Sequence, residues 1–410
     1  MYPTLFTPAL AFSIYSCLSG LFLPAHAAAI AANPPIVLPL TKGVHPRDPS
    51  IAKRSGAETE LIKYGPALSV TVTIRDEPYE MILDSGDPNV WIAQSNFVCV
   101  DSKSQSEVPQ ANCKLGSKLY PGPFPASTAK EADLVYGDGT EISGMWAVTP
   151  SLSLNGIKVK DVNMVFADGL AIRGDRHTVG SFGTSWMPGQ NSIWMELCKQ
   201  NNLPTQFTLA LDEPLGDGAK AGYLAIGGDI GTQVQVSGSW GTAPLGAGAA
   251  KYGGWAFEGA KAKWKDGTKD TVMPLKVEVQ LDSGKSAVLS PIFTNQCRPG
   301  ATSIYLPKNI VDAFAKTFTP VPQYKASENI WKMDCDAKGP ATLEFEIGGV
   351  DFKIPTRDLL DEDGDCWCAL LLFAMEGPGL ETVVLGQQFL QNVVVKHDFD
   401  QRSMSFKQRV

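Results

Sequence analysis

Met81-Ile82-Leu83-Asp84-Ser85-Gly86 and Val279-Gln280-Leu281-Asp282-Ser283-Gly284 are two apolar runs that each stop at Asp-Ser-Gly. One such run fits an ordinary turn, in which an Asp side chain bonds the backbone two residues on. Two of them, in separate halves of a 410-residue chain, indicate an internal duplication. Each is followed by an apolar pair and a glycine, Thr178-Val179-Gly180 in the first half and Val384-Leu385-Gly386 in the second. A carboxylate buried at the end of an apolar strand is costly when ionised unless it is hydrogen-bonded or shares a proton. Halves related by an approximate two-fold axis let the two turns meet, and two carboxylates in contact share one proton because they cannot both ionise easily. Such a pair serves both halves of amide hydrolysis. One carboxylate takes a proton from a water while the other gives one to the carbonyl oxygen.

Outward from these runs the chain reads as strands. Residues 67–74 alternate around Leu68, Val70 and Val72, residues 343–347 alternate Leu, Phe and Ile, and residues 392–399 are rich in Val and Phe. Asn155-Gly156, Asp138-Gly139, Gly227-Gly228, Asp266-Gly267 and Gly348-Gly349 mark turns. Helical spacing is confined to 192–200 and 309–316. Many strands and few helices predict an all-β class. The length suits two lobes rather than one core, with a boundary expected in the Gly- and Ala-rich stretch 237–250. The expected organisation is a signal peptide over 1–27, a short propeptide over 28–54, an N-terminal lobe over 55–240 and a C-terminal lobe over 241–410.

The signal reading rests on the apolar stretch 5–24 and on Ala25-His26-Ala27, which has the form of an A-x-A cleavage site. A membrane anchor is the competing reading, set aside for the small residues that follow, so no membrane anchor is expected; nor is a GPI tail, given the polar C-terminus. Lys53-Arg54 is a dibasic processing mark, or two basic residues of a flexible linker. A formal charge of −8 without a basic cluster argues against nucleic acid as a partner. Eight cysteines behind a signal peptide imply an oxidising compartment. Cys99 and Cys113 are expected to close one loop. Cys335 is expected to pair with Cys366 or Cys368. Cys198 and Cys297 either pair or leave one free.

The motifs around the two runs resemble those of the pepsin-like aspartic peptidases, in that family's order. Asp84-Ser85-Gly86-Asp87-Pro88-Asn89-Val90-Trp91-Ile92 resembles the first active-site motif, and Tyr136-Gly137-Asp138-Gly139-Thr140 the flap hairpin. Asp282-Ser283-Gly284 resembles the second active-site motif, and Val384-Leu385-Gly386-Gln387-Gln388-Phe389-Leu390 the C-terminal end. The resemblance covers about residues 61 to 410 and implies a bilobal all-β fold with pseudo-two-fold lobes and a central cleft. It implies that Asp84 and Asp282 hold a catalytic water. It places Tyr136 over the cleft with its hydroxyl near Trp91, and makes Gly137, Asp138 and Gly139 a tip whose backbone binds an extended peptide, with Gly86 and Gly284 lining the site. The plainer reading of Tyr136 is a hairpin tyrosine packed on Trp91. A protein or peptide substrate, a monomer secreted to the exterior or the vacuole as a zymogen, and no cofactor are what the family implies.

Two positions depart from the pattern. Asp87 and Lys285 stand three residues after each Asp, where the family has a small hydroxyl residue that bonds the outer carboxylate oxygens. An added carboxylate raises the pKa values of a neighbouring pair and an ammonium lowers them. Asp87 and Lys285, with Ser85 and Ser283, are therefore candidates for tuning the pair. The alternatives are that both side chains face solvent, or that the protein is a non-catalytic member acting as a binding module or on one precursor or metabolite. Gln387 stands where Asp is common, and the segment 290–305 reads as an insertion. Four scattered histidines, and a Cys366-Trp367-Cys368 without a second pair, make no metal site. No serine-hydrolase elbow occurs. Gly246-Ala247-Gly248 reads as linker, and the acidic run 361–365 lacks EF-hand spacing.

Overall fold

Leu68, Val70, Val72 and Ile74 all point into the core of one strand, as their period-two spacing requires. The computed structural model of the chain describes residues 36–42, 68–122, 130–136, 140–149, 151–212, 220–275, 279–281, 304–326, 330–363, 367–370, 372–375 and 383–410. Its first half contains β1 (Ile36–Lys42), β2 (Leu68–Ile74), β3 (Glu77–Asp84), β4 (Val90–Val100), β5 (Glu107–Val108), β6 (Lys130–Val135) and β7 (Glu141–Thr149). Next come β8 (Leu152–Leu154), β9 (Ile157–Val159), β10 (Val162–Ala171) and β11 (Gly180–Gly183). Asn155 and Gly156 join β8 to β9 with φ of 47° and 81°, the left-handed pair that a two-residue hairpin turn demands. Helix α1 (Ile193–Gln200) starts at Ser192, whose hydroxyl accepts the Met195 N–H. Strands β12 (Gln206–Leu211), β13 (Lys220–Ile226) and β14 (Val236–Pro244) follow.

The second half opens with helix α2 (Ala247–Tyr252), where the sequence reads as linker. Gly-rich composition predicts a flexible connector there. The helix nevertheless forms, and Ala249 within it is buried. It continues with β15 (Ala256–Phe257), β16 (Lys261–Asp266), β17 (Lys269–Pro274), β18 (Val279–Leu281), β19 (Ile304–Pro307) and α3 (Lys308–Ala315). Strands β20 (Gln323–Lys325), β21 (Ile330–Met333), β22 (Thr342–Ile347), β23 (Val350–Pro355), β24 (Leu360–Asp363), β25 (Trp367–Leu370), β26 (Leu372–Met375) and β27 (Val383–Leu385) lead to α4 (Gln387–Leu390). The chain closes with β28 (Val393–Asp398) and β29 (Ser403–Arg409).

Among the described residues the main sheet runs β14-β29-β28-β12-β13-β1-β2-β3-β11-β4-β10-β7-β6. Strands from the end of the chain, β28 and β29, thus join strands from its middle, β12 and β14. Three smaller sheets belong to the second half: β15-β18-β27-β19-β26, β17-β16-β22-β23 and β20-β21-β25-β24. The fold is all-β and bilobal, as the resemblance implies. The segment 28–54, read as propeptide or linker, contributes a strand of its own. β1 pairs with β13 from Ile36↔Ile226 to Thr41↔Lys220, and with β2 at Thr41↔Ser69.

Strands β12 and β28, toward one end of the main sheet, pack on a cluster of aromatics. Phe207 meets Trp194 at 5.1 Å and Trp255 at 5.8 Å, and Phe399 stands 4.8 Å from Trp255, all ring to ring. Full burial of each such ring stabilises by roughly 2–3 kcal/mol. His397 lies within this cluster, stacked on Phe207 at 4.1 Å. A second, smaller core holds Trp91, Phe97, Ile142 and Val165 with the Cys99–Cys113 disulfide. Cys335 is bonded to Cys368; Cys366 lies outside the described residues. Cys198 is a buried free thiol, and burial pushes its pKa up to about 12. Its candidate partner Cys297 is also outside the described residues.

Candidate active site

Asp84 is the last residue of β3, and it is buried, at 2% exposure. The apolar run Met81-Ile82-Leu83 carries it there because both faces of β3 are covered at that end. β11 runs parallel to β3, with Gly183 level with Asp84, and antiparallel to β4, with Phe182 level with Val90. One short strand is thereby wedged between the strand that delivers Asp84 and the strand that leaves it. Gly183 is required by this wedge. A Cβ there meets the carbonyl oxygens of Asp87 and Asn89 at 2.3 Å, closer than real contacts allow.

The turn between β3 and β4 is pinned on its main chain. Thr184 N–H donates to the Asp84 carbonyl at 2.7 Å, Gly183 N–H to the Asn89 carbonyl at 3.0 Å and Ser185 N–H to the Asp87 carbonyl at 3.1 Å. Asp84 Oδ1 accepts the Gly86 N–H at 2.8 Å, an Asx turn that holds the carboxylate by a charge-compatible donor. Ser85 is buried and Gly86 half-buried.

Asp87 is buried as well, at 5% exposure, so the reading that its side chain faces solvent is corrected: a buried carboxylate needs donors, and it has them. Oδ1 accepts Asn89 N–H at 2.9 Å and Asn89 Nδ2 at 2.7 Å. Oδ2 accepts the hydroxyl of Tyr136. Tyr136 follows β6, is half-buried, and packs on the core that contains Trp91. Its N–H donates to the Thr140 carbonyl at 2.9 Å, extending the β6–β7 ladder by one bond at its turn end. Burial, then the Asp87 carboxylate, then that of Asp84 raise the phenol pKa well above its ordinary value. Tyr136 is therefore a permanent donor, held among two acidic side chains. Gly137, Asp138 and Gly139 lie outside the described residues.

The second half repeats the wedge. β27 runs parallel to β18, with Leu385 level with Leu281, and antiparallel to β19, with Leu385 level with Ile304. β18 ends one residue before Asp282. Asp282, Ser283, Gly284 and Lys285 themselves lie outside the described residues. In the first half the next strand begins at Val90, soon after Asp84; in the second the next strand among the described residues is β19, from Ile304. Gln387 is buried at the start of α4, just past the pairing of Leu385 with Leu281.

The registers also correct one sequence mark. Leu385-Gly386 corresponds to Phe182-Gly183, not to Val179-Gly180, because Phe182 is level with Leu83 as Leu385 is level with Leu281. Gly180 opens the same strand and carries the same spacing by coincidence. Asn89 and Thr184, which hold the turn, were not singled out from sequence; the small-residue run Gly180-Ser181-Phe182-Gly183-Thr184-Ser185 was the available signal. Among the described residues no group of three or more His, Cys, Asp or Glu side chains is placed to hold a metal ion. No helix among them is long and apolar enough to cross a membrane.

The profile of the eukaryotic aspartyl protease family matches residues 67–409. A probable aspartic-type endopeptidase of Aspergillus fumigatus is 25% identical over 374 residues, covering 86% of this chain and 81% of the relative. Candidapepsin of Candida tropicalis is 22% identical over 372 residues, 87% of this chain and 83% of its own. Secreted aspartic protease 8 of Candida albicans is 21% identical over 365 residues, 87% and 79%. With the profile spanning the lobes and both strand wedges, this chain belongs to the eukaryotic aspartyl protease family.

Proposed function

We propose that the protein is a working aspartic endopeptidase in which Asp84 and Asp282 hold the attacking water between them. The observation that carries this reading is the repeated wedge. β3 delivers a buried, backbone-bonded Asp84, and β18 is paired in the same way one residue before Asp282. The pair shares a proton and titrates as a unit, so base and acid roles belong to the pair. The water loses a proton to one carboxylate as it attacks the scissile carbonyl, and the other protonates the carbonyl oxygen. The substrate is an extended peptide with apolar side chains beside the scissile bond, lying between the pair and the β6–β7 hairpin. The mature protein is a monomer, released along the secretory pathway after loss of 1–27 and cleavage after Lys53-Arg54.

One observation favours a second reading. Asp87 replaces a neutral hydroxyl residue with a buried carboxylate that holds Tyr136, which suits a narrow-specificity enzyme or a peptide-binding module. Hydrolysis of a mixed peptide library from pH 2 to 7 separates the two. Cleavage of many peptides, lost in both Asp84→Asn and Asp282→Asn, supports the endopeptidase. A folded wild type that cleaves none, while retaining peptide from the library, supports the binding module.

A further inference from the structure

The carboxylate of Asp87 is shared between two segments of chain. Oδ1 is occupied by the N–H and side-chain amide of Asn89, and Oδ2 by the hydroxyl of Tyr136. The backbone of the same turn is bonded to Gly183 and Ser185, and Gly183 approaches it so closely that an added Cβ meets the Asp87 and Asn89 carbonyl oxygens. Asp87 is therefore held by the turn independently of Tyr136. Tyr136 in turn follows the last pair at the turn end of the β6–β7 ladder, Val135↔Glu141, and is held there through its N–H to Thr140. We propose that Asp87 is a positioning residue, tying the Tyr136 hydroxyl, and with it the turn end of the β6–β7 ladder, to the turn that carries Asp84. A serine or threonine at this position offers one neutral oxygen. The carboxylate offers two acceptor oxygens, one for the turn and one for the tyrosine, and its bond to a phenol is charge-assisted and stronger. The tether sets the tyrosine ring before substrate arrives, so it lowers the ordering that binding must impose. This inference rests on the endopeptidase reading for its kinetic consequence alone.

The test is a double-mutant cycle with Asp87→Ser and Tyr136→Phe. Each single change is expected to raise KM about tenfold, the size of one hydrogen bond to a charged group, with kcat within about twofold. The double variant is expected to stay near tenfold, because the same bond is lost once. Effects that multiply toward about a hundredfold overturn the tether. So does a fall in kcat for Asp87→Ser with KM unchanged, which assigns Asp87 to the acid-base chemistry. Amide exchange of β6 and β7, referred to β2 in the same molecule, reads the tether without turnover. About tenfold faster exchange in both singles and the double supports it even in a protein that cleaves nothing, and unchanged exchange refutes it. Asp87→Asn keeps an acceptor for Asn89 and gives the same comparison should Asp87→Ser fail to fold.

Discussion

Replacing His397 by Phe should remove a specific acid weakness of the fold. His397 is 1% exposed, stacked on Phe207 and edge-on to Trp255 at 4.8 Å. Neither ring nitrogen meets a hydrogen-bond partner among the described residues. Burial alone depresses its pKa from 6.5 to about 3. Between those values the unfolded chain binds a proton that the folded chain refuses, so stability rises with pH across this window. The contribution of the neutral ring is complete above pH 6.5 and is lost as pH falls toward 3. At 1.36 kcal/mol per pKa unit, the loss is about 3 kcal/mol by pH 4. The assay is urea unfolding by tryptophan fluorescence at pH 4 and pH 7, on an Asp84→Asn background that prevents self-digestion. The quantity read is the difference between the two pH values within each protein, so any packing effect of the larger ring cancels. That difference should be smaller by about 3 kcal/mol in His397→Phe. Equal differences in the two proteins would refute the reasoning.

Three further outcomes follow from the geometry. Converting Cys99 and Cys113 to Ser opens a loop of sequence separation 14 and should cost about 3 kcal/mol of stability; a loss under about 1 kcal/mol by urea unfolding would mean the small core around Trp91 holds the loop without the bond. Gly183→Ala drives a methyl into the Asp87 and Asn89 carbonyls and should lower stability by roughly 2 kcal/mol or more while abolishing cleavage, whereas a stable, active variant contradicts the wedge. The buried Cys198 thiol, its pKa near 12, should resist a thiol reagent in the native protein and react at once in urea, with the labelled site mapped by mass spectrometry. Rapid native labelling at Cys198 would contradict its burial.

The duplication was legible because an Asp at the end of an apolar strand is conspicuous, and twice in one chain is harder to explain as a turn. The strands at 68–74, 342–347 and 393–398 and the helices α1 and α3 were legible for the same reason: buried faces impose periods of two or of 3.6. The role of Gly183 was not, since its need arises from two carbonyls of a distant turn. The strand β1 was hidden because Ile36-Val37-Leu38-Pro39-Leu40 carries a proline and a charged flank, and its pairing with β13 is a long-range choice. The Asp87–Tyr136 bond was invisible for a related reason. Sequence shows that a carboxylate stands where a hydroxyl is usual, but the partner lies 49 residues away. Charge reasoning alone points from Asp87 to the paired carboxylates and does not reveal the phenol that the fold also presents to it.

The central claim is that Asp84 and Asp282 act together on one water. The most direct test is calorimetric binding of a peptide carrying a tetrahedral hydroxyl in place of the scissile carbonyl, against the same peptide without the hydroxyl. Transition-state mimics bind at least about a hundredfold tighter than their ground-state counterparts. The wild type should show at least that preference for the hydroxyl peptide, and either Asp84→Asn or Asp282→Asn should abolish it. Equal affinity for the two peptides in the wild type, or a preference that survives in one of the variants, would contradict the account.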